Sequence, residues 1–507
     1  MNCFLKSFRQ LLMITAAVLI TTPLWAKSHK PAPVKTQTYF SQFENVLGTS
    51  FEMKLQTSSA KKAAQAETIA LQEIERLSKI LSAYNAQSQF SQWMRTQNIP
   101  VKTAPELIEV LALFDTWKKN TNGAINPAFE TISQLWKNAA ATQVLPSAAA
   151  LQAAVTAANQ QHWAIDYKNG TVTHLTTAPL VLNTFVKSYI INKATEKIIA
   201  TTGIQDVVMN IGGDIIVRGN IAEPISITNP QATAVNDAAL AIIKVQNQFV
   251  ATSGNYRRGY LINNQWYSHI INPATGMPAT GVLSDTVIAN NATDAGALAT
   301  AFNVLPVEAC KQLASRFSGV AYLIVTNDGQ QIQSSNWVAE AAPQQPVLVT
   351  ATNSPNQWDP AFELTVNLEL AKFEGPYRRP FVAIWVEDKD NKPVRNLAVW
   401  FNKPRWLHDL RAWYRANYAT FNPEAGTLST ISSATRSAGK YAIKWDGKDD
   451  KGGYVKTGTY TVHIEVAREH GTYQLISQEV KMNNKNNKIE LSPNAEVASA
   501  SLEVKKK

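Results

Sequence analysis

Hydrophobic positions in the first two-thirds of the chain follow two periods. Ala70, Ile74, Leu77, Leu81 and Tyr84 recur three or four residues apart, which predicts a helix over 67–93 with one apolar face. An alanine-rich stretch predicts another over 148–159. Residues 207–217 form two apolar, strand-like pieces around Gly212-Gly213-Asp214, and 320–326 is an apolar run that stops at the turn signal Asn327-Asp328-Gly329. Helices and strands mix here as in an α+β domain. Beyond residue 360 the period becomes two. Leu364, Val366, Leu368 and Leu370 alternate with polar residues, as do Tyr460, Val462, Ile464 and Val466, with strand-like runs at 381–386 and 397–401 between them. A helical patch at 406–414 interrupts the pattern. Alternation with turns such as Asp446-Gly447 and Gly452-Gly453 predicts an all-β, Ig-like sandwich. Between the two patterns, 341–360 is rich in Pro, Gln and Asn and reads as a linker. The expected division is a first domain at 37–340, the linker, a β-sandwich at 361–485 and a tail at 486–507.

The N-terminus sets the compartment. Lys6 and Arg9 precede an apolar run from 11 to 20 broken by Thr15, and Ala26 ends the stretch. This charge–apolar–small order predicts a signal peptide at 1–26 and a periplasmic mature chain. The run is short of the ~20 residues a spanning helix needs, and no comparable run follows. Net charge is +10, yet basic residues are interspersed with acids and only Lys505-Lys506-Lys507 is dense, which argues against nucleic acid. Of two cysteines, Cys3 leaves with the leader. Cys310 then stands alone in an apolar helical stretch and reads as a small buried hydrophobe, leaving no intrachain disulfide.

Candidate chemistry lies in five stretches: Leu47-Gly48-Thr49; Gly123-Ala124-Ile125-Asn126-Pro127; Asn210-Ile211-Gly212-Gly213-Asp214; Ser253-Gly254-Asn255-Tyr256-Arg257; and Ser268-His269-Ile270-Ile271-Asn272-Pro273-Ala274-Thr275-Gly276. Each alone also reads as structure: a bulge or tight bend at the paired glycines, an ordinary turn at Asn272-Pro273, a structural histidine at 269. Taken in order, and with Leu81-Ser82-Ala83-Tyr84-Asn85, Leu135-Trp136 and Ala297-Leu298-Ala299-Thr300-Ala301, they resemble the FAD:protein FMN transferases, the ApbE-like flavin transferases, from about Phe40 to Phe317. The resemblance implies an exported, Mg2+-dependent enzyme. It cleaves the pyrophosphate of FAD, moves FMN onto a Ser or Thr hydroxyl of an exported or membrane-bound acceptor protein, and releases AMP. It implies His269 as the catalytic residue, whose neutral imidazole accepts the hydroxyl proton. It places Ala124, Ile125, Asn126, Lys187 and Ile271 at the FAD site. The implied metal ligands are the Thr184 carbonyl, the Thr300 hydroxyl and Asp294, the last reading equally as a helix N-cap. Tyr84 reads either as a ring facing the flavin or as core.

The chain departs from the family pattern. Where the family reads Asp-Leu-x-Gly-x-Ala-Lys-Gly-Tyr-x-x-Asp, this sequence has Val181-Leu182-Asn183-Thr184-Phe185-Val186-Lys187-Ser188-Tyr189-Ile190-Ile191-Asn192. The family's Ala-Asp-Ala-Leu-Ala-Thr becomes Ala295-Gly296-Ala297-Leu298-Ala299-Thr300, and Asn126 replaces an aspartate. The alternative reading is therefore a degenerate, weakly active or inactive flavin-binding or protein-interaction module. In the second domain, the acidic hairpin at 446–453 reads as a solvated turn rather than a calcium loop. Residues 429–435 carry a partial acceptor pattern ending at Thr435.

Overall fold

The computed structural model describes residues 36–256, 258–339, 357–373, 379–401, 404–417, 432–433, 436–468 and 471–507. The leader at 1–26, Arg257, Thr435 and most of the expected linker lie outside the described residues.

Eight strands form one antiparallel sheet in chain order: β1 (Gln37–Val46), β2 (Thr49–Thr57), β3 (Asp206–Ile211), β4 (Asp214–Arg218), β5 (Phe249–Gly254), β6 (Val282–Ala289), β7 (Ala321–Thr326) and β8 (Gln331–Gln333). Both faces are covered. Successive residues therefore enter opposite cores, and the strands read as continuous apolar runs. Val207, Met209 and Ile211 join the larger core while Val208 joins the smaller one, and Val287 and Ala289 flank Ile288 in the same way. The smaller core is closed by a two-stranded ribbon, Glu223–Ile227 paired with Ala241–Val245.

The larger core lies under helices. The segment between β2 and β3 holds α1 (Ala60–Leu81), α2 (Gln89–Trp93), α3 (Pro105–Asn120), α4 (Glu130–Thr142), α5 (Ala148–Ala158) and α6 (Val186–Thr202). α7 (Ala292–Val304) and α8 (Val307–Ala314) follow β6. The helix expected over 67–93 is two helices. α1 starts earlier, where the Ser59 hydroxyl accepts from the Lys62 N–H, and it stops at Ser82, which is extended. The Ser82 hydroxyl accepts from Tyr84 and Asn85 N–H, while its carbonyl takes the Ser88 and Ser91 hydroxyls. Serines thus supply the backbone with partners outside the helix, which ends it. Tyr84 leaves the apolar stripe and is 78% exposed, which removes the core reading. Cys310 is buried, as expected, and burial pushes its thiol up to about 12.

The second domain is a sandwich of two sheets. Its strands are β9 (Phe362–Leu370), β10 (Phe381–Glu387), β11 (Pro393–Trp400), β12 (Gly439–Trp445), β13 (Gly458–Ala467), β14 (Tyr473–Met482), β15 (Asn487–Leu491) and β16 (Val497–Lys506). One sheet runs β12-β9-β16-β15 and the other β11-β10-β13-β14, with Ser432–Ser433 beside β11. Their inner faces meet through Val366, Ile384, Ile464 and Leu502. The outer face of β10 is covered by α9 (Arg411–Asn417), whose Ala412 and Trp413 N–H groups both donate to the buried Glu465 carboxylate at 2.8 Å. Residues 486–507, expected as a tail, form β15 and β16, and β16 pairs along the whole of β9. Alanine, serine and lysine dilute the apolar alternation there. The sandwich also begins earlier than residue 361, because Trp358 is 1% exposed and packs in its core.

The domains touch through the loop between the ribbon strands. Val235 N–H donates to the Ala442 carbonyl of edge strand β12, and Asn236 exchanges two hydrogen bonds with the Lys444 main chain, at 2.7 and 3.0 Å. In the acidic hairpin, the Asp449 carboxylate accepts from Lys451 and Gly453 N–H and Asp450 binds Asn396, so these carboxylates serve the turn.

Candidate functional site

A cavity of about 830 Å³ opens where the C-terminal end of α1, the N-terminal end of α6 and the side of α7 converge. Two turns complete its wall. In the first, the Asn126 side chain caps the short 3-10 turn at Pro127–Phe129, accepting from Ala128 N–H while its amide donates to the Ala158 carbonyl. In the second, Gly276 takes φ +72°, donates to the Asn272 carbonyl and accepts from the Trp136 indole at 2.8 Å. A Cβ at Gly276 would stand 3.1 Å from Val155, so this turn packs tightly against the α4–α5 pair. The glycine motifs thus hold the wall, and Ala124, Ile125, Ile271 and Pro273 give it an apolar surface.

Polar groups enter from three sides. The His269 Nδ1 lies 3.0 Å from the Arg258 carbonyl, so Nδ1 carries the proton and Nε2 keeps its lone pair. Burial holds its pKa below the ordinary histidine value; the hydrogen bond to the Arg258 carbonyl opposes this and the Arg258 charge reinforces it. Lys187 and Arg258 also line the cavity. Burial pulls Lys187 below the usual lysine value; Asp214 opposes this and Arg258 adds to it. Arg258 escaped the sequence reading, although Arg257-Arg258 next to a glycine-bounded turn was the signal for it. Asn183 and Tyr84 meet at the wall, where the Asn183 amide donates to the Tyr84 hydroxyl at 2.6 Å.

Gly212 and Gly213 turn β3 into β4 at φ +63° and +102°, conformations that suit glycine. The turn delivers Asp214 to the start of α6, where its carboxylate accepts from the Ser188 hydroxyl at 2.9 Å. Desolvation pushes Asp214 up to about 6 against the opposing pull of Ser188 and Lys187.

Of the expected metal ligands, Thr184 and Thr300 line the cavity and Asp294 does not. Asp294 sits in the first turn of α7, six residues before Thr300 and on another face. It is not the helix cap either, because the Asn291 side chain accepts from both Thr293 and Asp294 N–H. The Thr300 hydroxyl donates to the Gly296 carbonyl at 3.1 Å. Among the described residues no Asp or Glu lines the cavity, and no three of His, Cys, Asp and Glu stand together as a metal group. A hard divalent cation calls for anionic oxygen ligands. This donor set, neutral oxygens beside two cations, does not fit Mg2+.

A sheet-and-helix domain carries a cavity lined by His269, Lys187 and Arg258 and is followed by a β-sandwich, and the comparisons give this arrangement a family. The ApbE family model matches residues 47–324, and a second model, "Predicted periplasmic protein (DUF2271)", matches 363–499. The chain belongs to the ApbE family, with the second domain appended. It is 23% identical over 339 residues to the FAD:protein FMN transferase of Escherichia coli K12, covering 65% of this chain and 95% of that protein. It is 26% identical over 317 residues to the FAD:protein FMN transferase of Treponema pallidum, covering 57% and 85%. The fold matches the apbe protein of Thermotoga maritima with a TM-score of 0.53 at 24% identity, covering 59% of this chain and 97% of that one. It matches the flavin transferase ApbE of Vibrio cholerae with a TM-score of 0.50 at 22% identity, covering 59% and 98%. No helix among the described residues is long and apolar enough to cross a membrane.

Proposed function

We propose that this chain binds FAD in the cavity and transfers its FMN moiety to a Ser or Thr hydroxyl of an exported or membrane-bound acceptor protein, acting in the periplasm after loss of its leader at 1–26. The observation that carries the reading is the convergence of His269 with Lys187 on one apolar-walled cavity large enough for a dinucleotide. In this reading Ala124, Ile125 and Ile271 pack against the flavin, and Asn126 holds the wall that they form. His269 Nε2 accepts the proton of the acceptor hydroxyl. The hydroxyl oxygen forms a bond to the FMN-side phosphorus, the bond from that phosphorus to the bridging oxygen breaks, and AMP leaves with the oxygen. Lys187 and Arg258 stand where negative charge grows. The magnesium dependence implied by the resemblance has no support in the donor set, and Thr184 and Thr300 are assigned here to the wall.

A second reading, flavin binding without turnover, is favoured by one feature: position 296, where the family pattern has aspartate, is glycine in α7. Incubation of the purified chain with FAD and an acceptor peptide, followed by chromatography for AMP, separates the two. AMP released in proportion to modified peptide supports transfer. Bound FAD with no AMP supports the second reading.

A further inference from the structure

We infer that this cavity takes the pyrophosphate of a dinucleotide without a divalent cation, with Lys187, Arg258 and the N-terminal end of α6 supplying the neutralising charge. The inference rests on the FAD-binding reading and adds how the phosphates are held.

Charge comes first. Lys187 and Arg258 share the wall, no carboxylate faces them there, and among the described residues neither side chain makes a hydrogen bond or ion pair. Lys187 is half-buried and Arg258 is exposed at the rim, so an anion entering the cavity meets one partly desolvated cation and one solvated one. Burial lowers the Lys187 pKa, Asp214 opposes this, and the Arg258 charge adds to the lowering. The nearest carboxylate, Asp214, is engaged by the Ser188 hydroxyl.

Helix geometry adds to this. α6 is 17 residues long and begins at Val186 with no capping bond from its N-cap residue Phe185, and Asp214 takes the Ser188 N–H and hydroxyl in its first turn. Thr184, Val186 and Lys187, which bracket that end, all line the cavity. A helix N-terminus presents N–H donors and a partial positive charge of about half a unit, and the end that faces the cavity at Val186 and Lys187 suits a phosphate.

Space points the same way. A side chain at 296 would have to begin where Ser188 stands, because a Cβ there would lie 2.7 Å from the Ser188 Oγ and 3.2 Å from the Phe185 Cα. The room from which an acidic side chain on α7 would face the start of α6 is filled by Ser188, which turns its hydroxyl to Asp214.

The test is calorimetric titration of the full-length mature chain with FAD, first in excess EDTA and then in millimolar MgCl2, with Lys187→Gln and Arg258→Gln run in parallel. The expected result is a dissociation constant the same in both buffers within about threefold. Each substitution weakens binding about tenfold or more and reduces its salt dependence, as loss of a charge-assisted contact requires. Circular dichroism melts show that the variants are folded. Binding seen only with MgCl2, or tightened tenfold by it, overturns the inference and leaves the FAD-binding reading standing. Wild-type chain that binds no FAD in either buffer overturns both. Variants that melt as wild type and bind FAD with unchanged affinity also overturn the inference.

Discussion

Positions 188 and 296 act as a size-exchange pair, and a double-mutant cycle measures it. Gly296→Asp alone sets a Cβ 2.7 Å from the Ser188 Oγ in a fully packed helix contact. Overpacking of this kind costs about 1–3 kcal/mol. The new carboxylate is also buried beside Ser188, whose hydroxyl already serves Asp214, so a further penalty of about 3–5 kcal/mol is expected for an unpaired charge. Ser188→Gly alone loses a hydrogen bond to a carboxylate, about 1.5–3 kcal/mol, and places glycine inside a helix, about 1 kcal/mol more. In the double variant the oxygen that clashes is gone. The loss should therefore fall short of the sum by about 1–3 kcal/mol, the coupling expected of residues in direct contact. Native-state hydrogen exchange of the α6 and α7 amides reads this locally and is not confused by unfolding of the second domain. Losses that add within about 0.5 kcal/mol would refute the steric argument.

Three further outcomes follow from named contacts. His269→Gln keeps a hydrogen-bonding side chain but no base, so FAD binding should persist while acceptor modification slows by about a hundredfold or more, read by intact mass against time. Asp285 is 1% exposed on β6 and burial raises its carboxyl well above the usual range, with its Asn303 hydrogen bond opposing. Its protonated form is the one the fold favours, so its contribution is full below the unfolded value near pH 4 and is lost as pH rises through the folded value. Asp285→Asn should accordingly be the more stable protein at pH 8, with the gap closing toward pH 4; urea midpoints that keep the same gap at both pH values would count against this. Asn236→Ala removes two hydrogen bonds to the Lys444 main chain, so limited proteolysis should cut within 228–240 faster than in the wild type.

Much of the fold was legible because burial writes periodicity. The alternation of β9 and the first half of β13 marks a sandwich face, while β10 is apolar on both faces because α9 covers its outer side, and the three-four spacing of Ala70 to Leu81 marks α1. The end of α1 was not legible, since Tyr84 continues the apolar spacing and only the serine hydrogen bonds at 82 and 88 show the break. The last two strands were missed because Ser499, Ser501 and Lys505 alternate with smaller apolar residues, and pairing with β9 decides their state. In the site, the motif residues Ala124, Ile125, Asn126, Lys187, His269, Ile271, Thr184 and Thr300 do share one cavity. What spacing could not reveal is which atoms remain available. Asn126 spends both polar groups on the wall, and Asp294 points elsewhere because Asn291 starts the helix before it. The Ser188–Asp214 pair arises from contact between distant segments, which no local pattern encodes, whereas Arg258 carried a local signal in the Arg257-Arg258 pair.

The proposed FMN transfer draws its neutralising charge from fixed side chains of the cavity. Its most direct measurement is intact mass spectrometry of a separately purified flavin-acceptor domain after incubation with the mature chain and FAD in excess EDTA. The expected result is a gain of one FMN on a single Ser or Thr of the acceptor, absent with His269→Gln. An acceptor that stays unmodified in EDTA and gains FMN only when MgCl2 is added would contradict it.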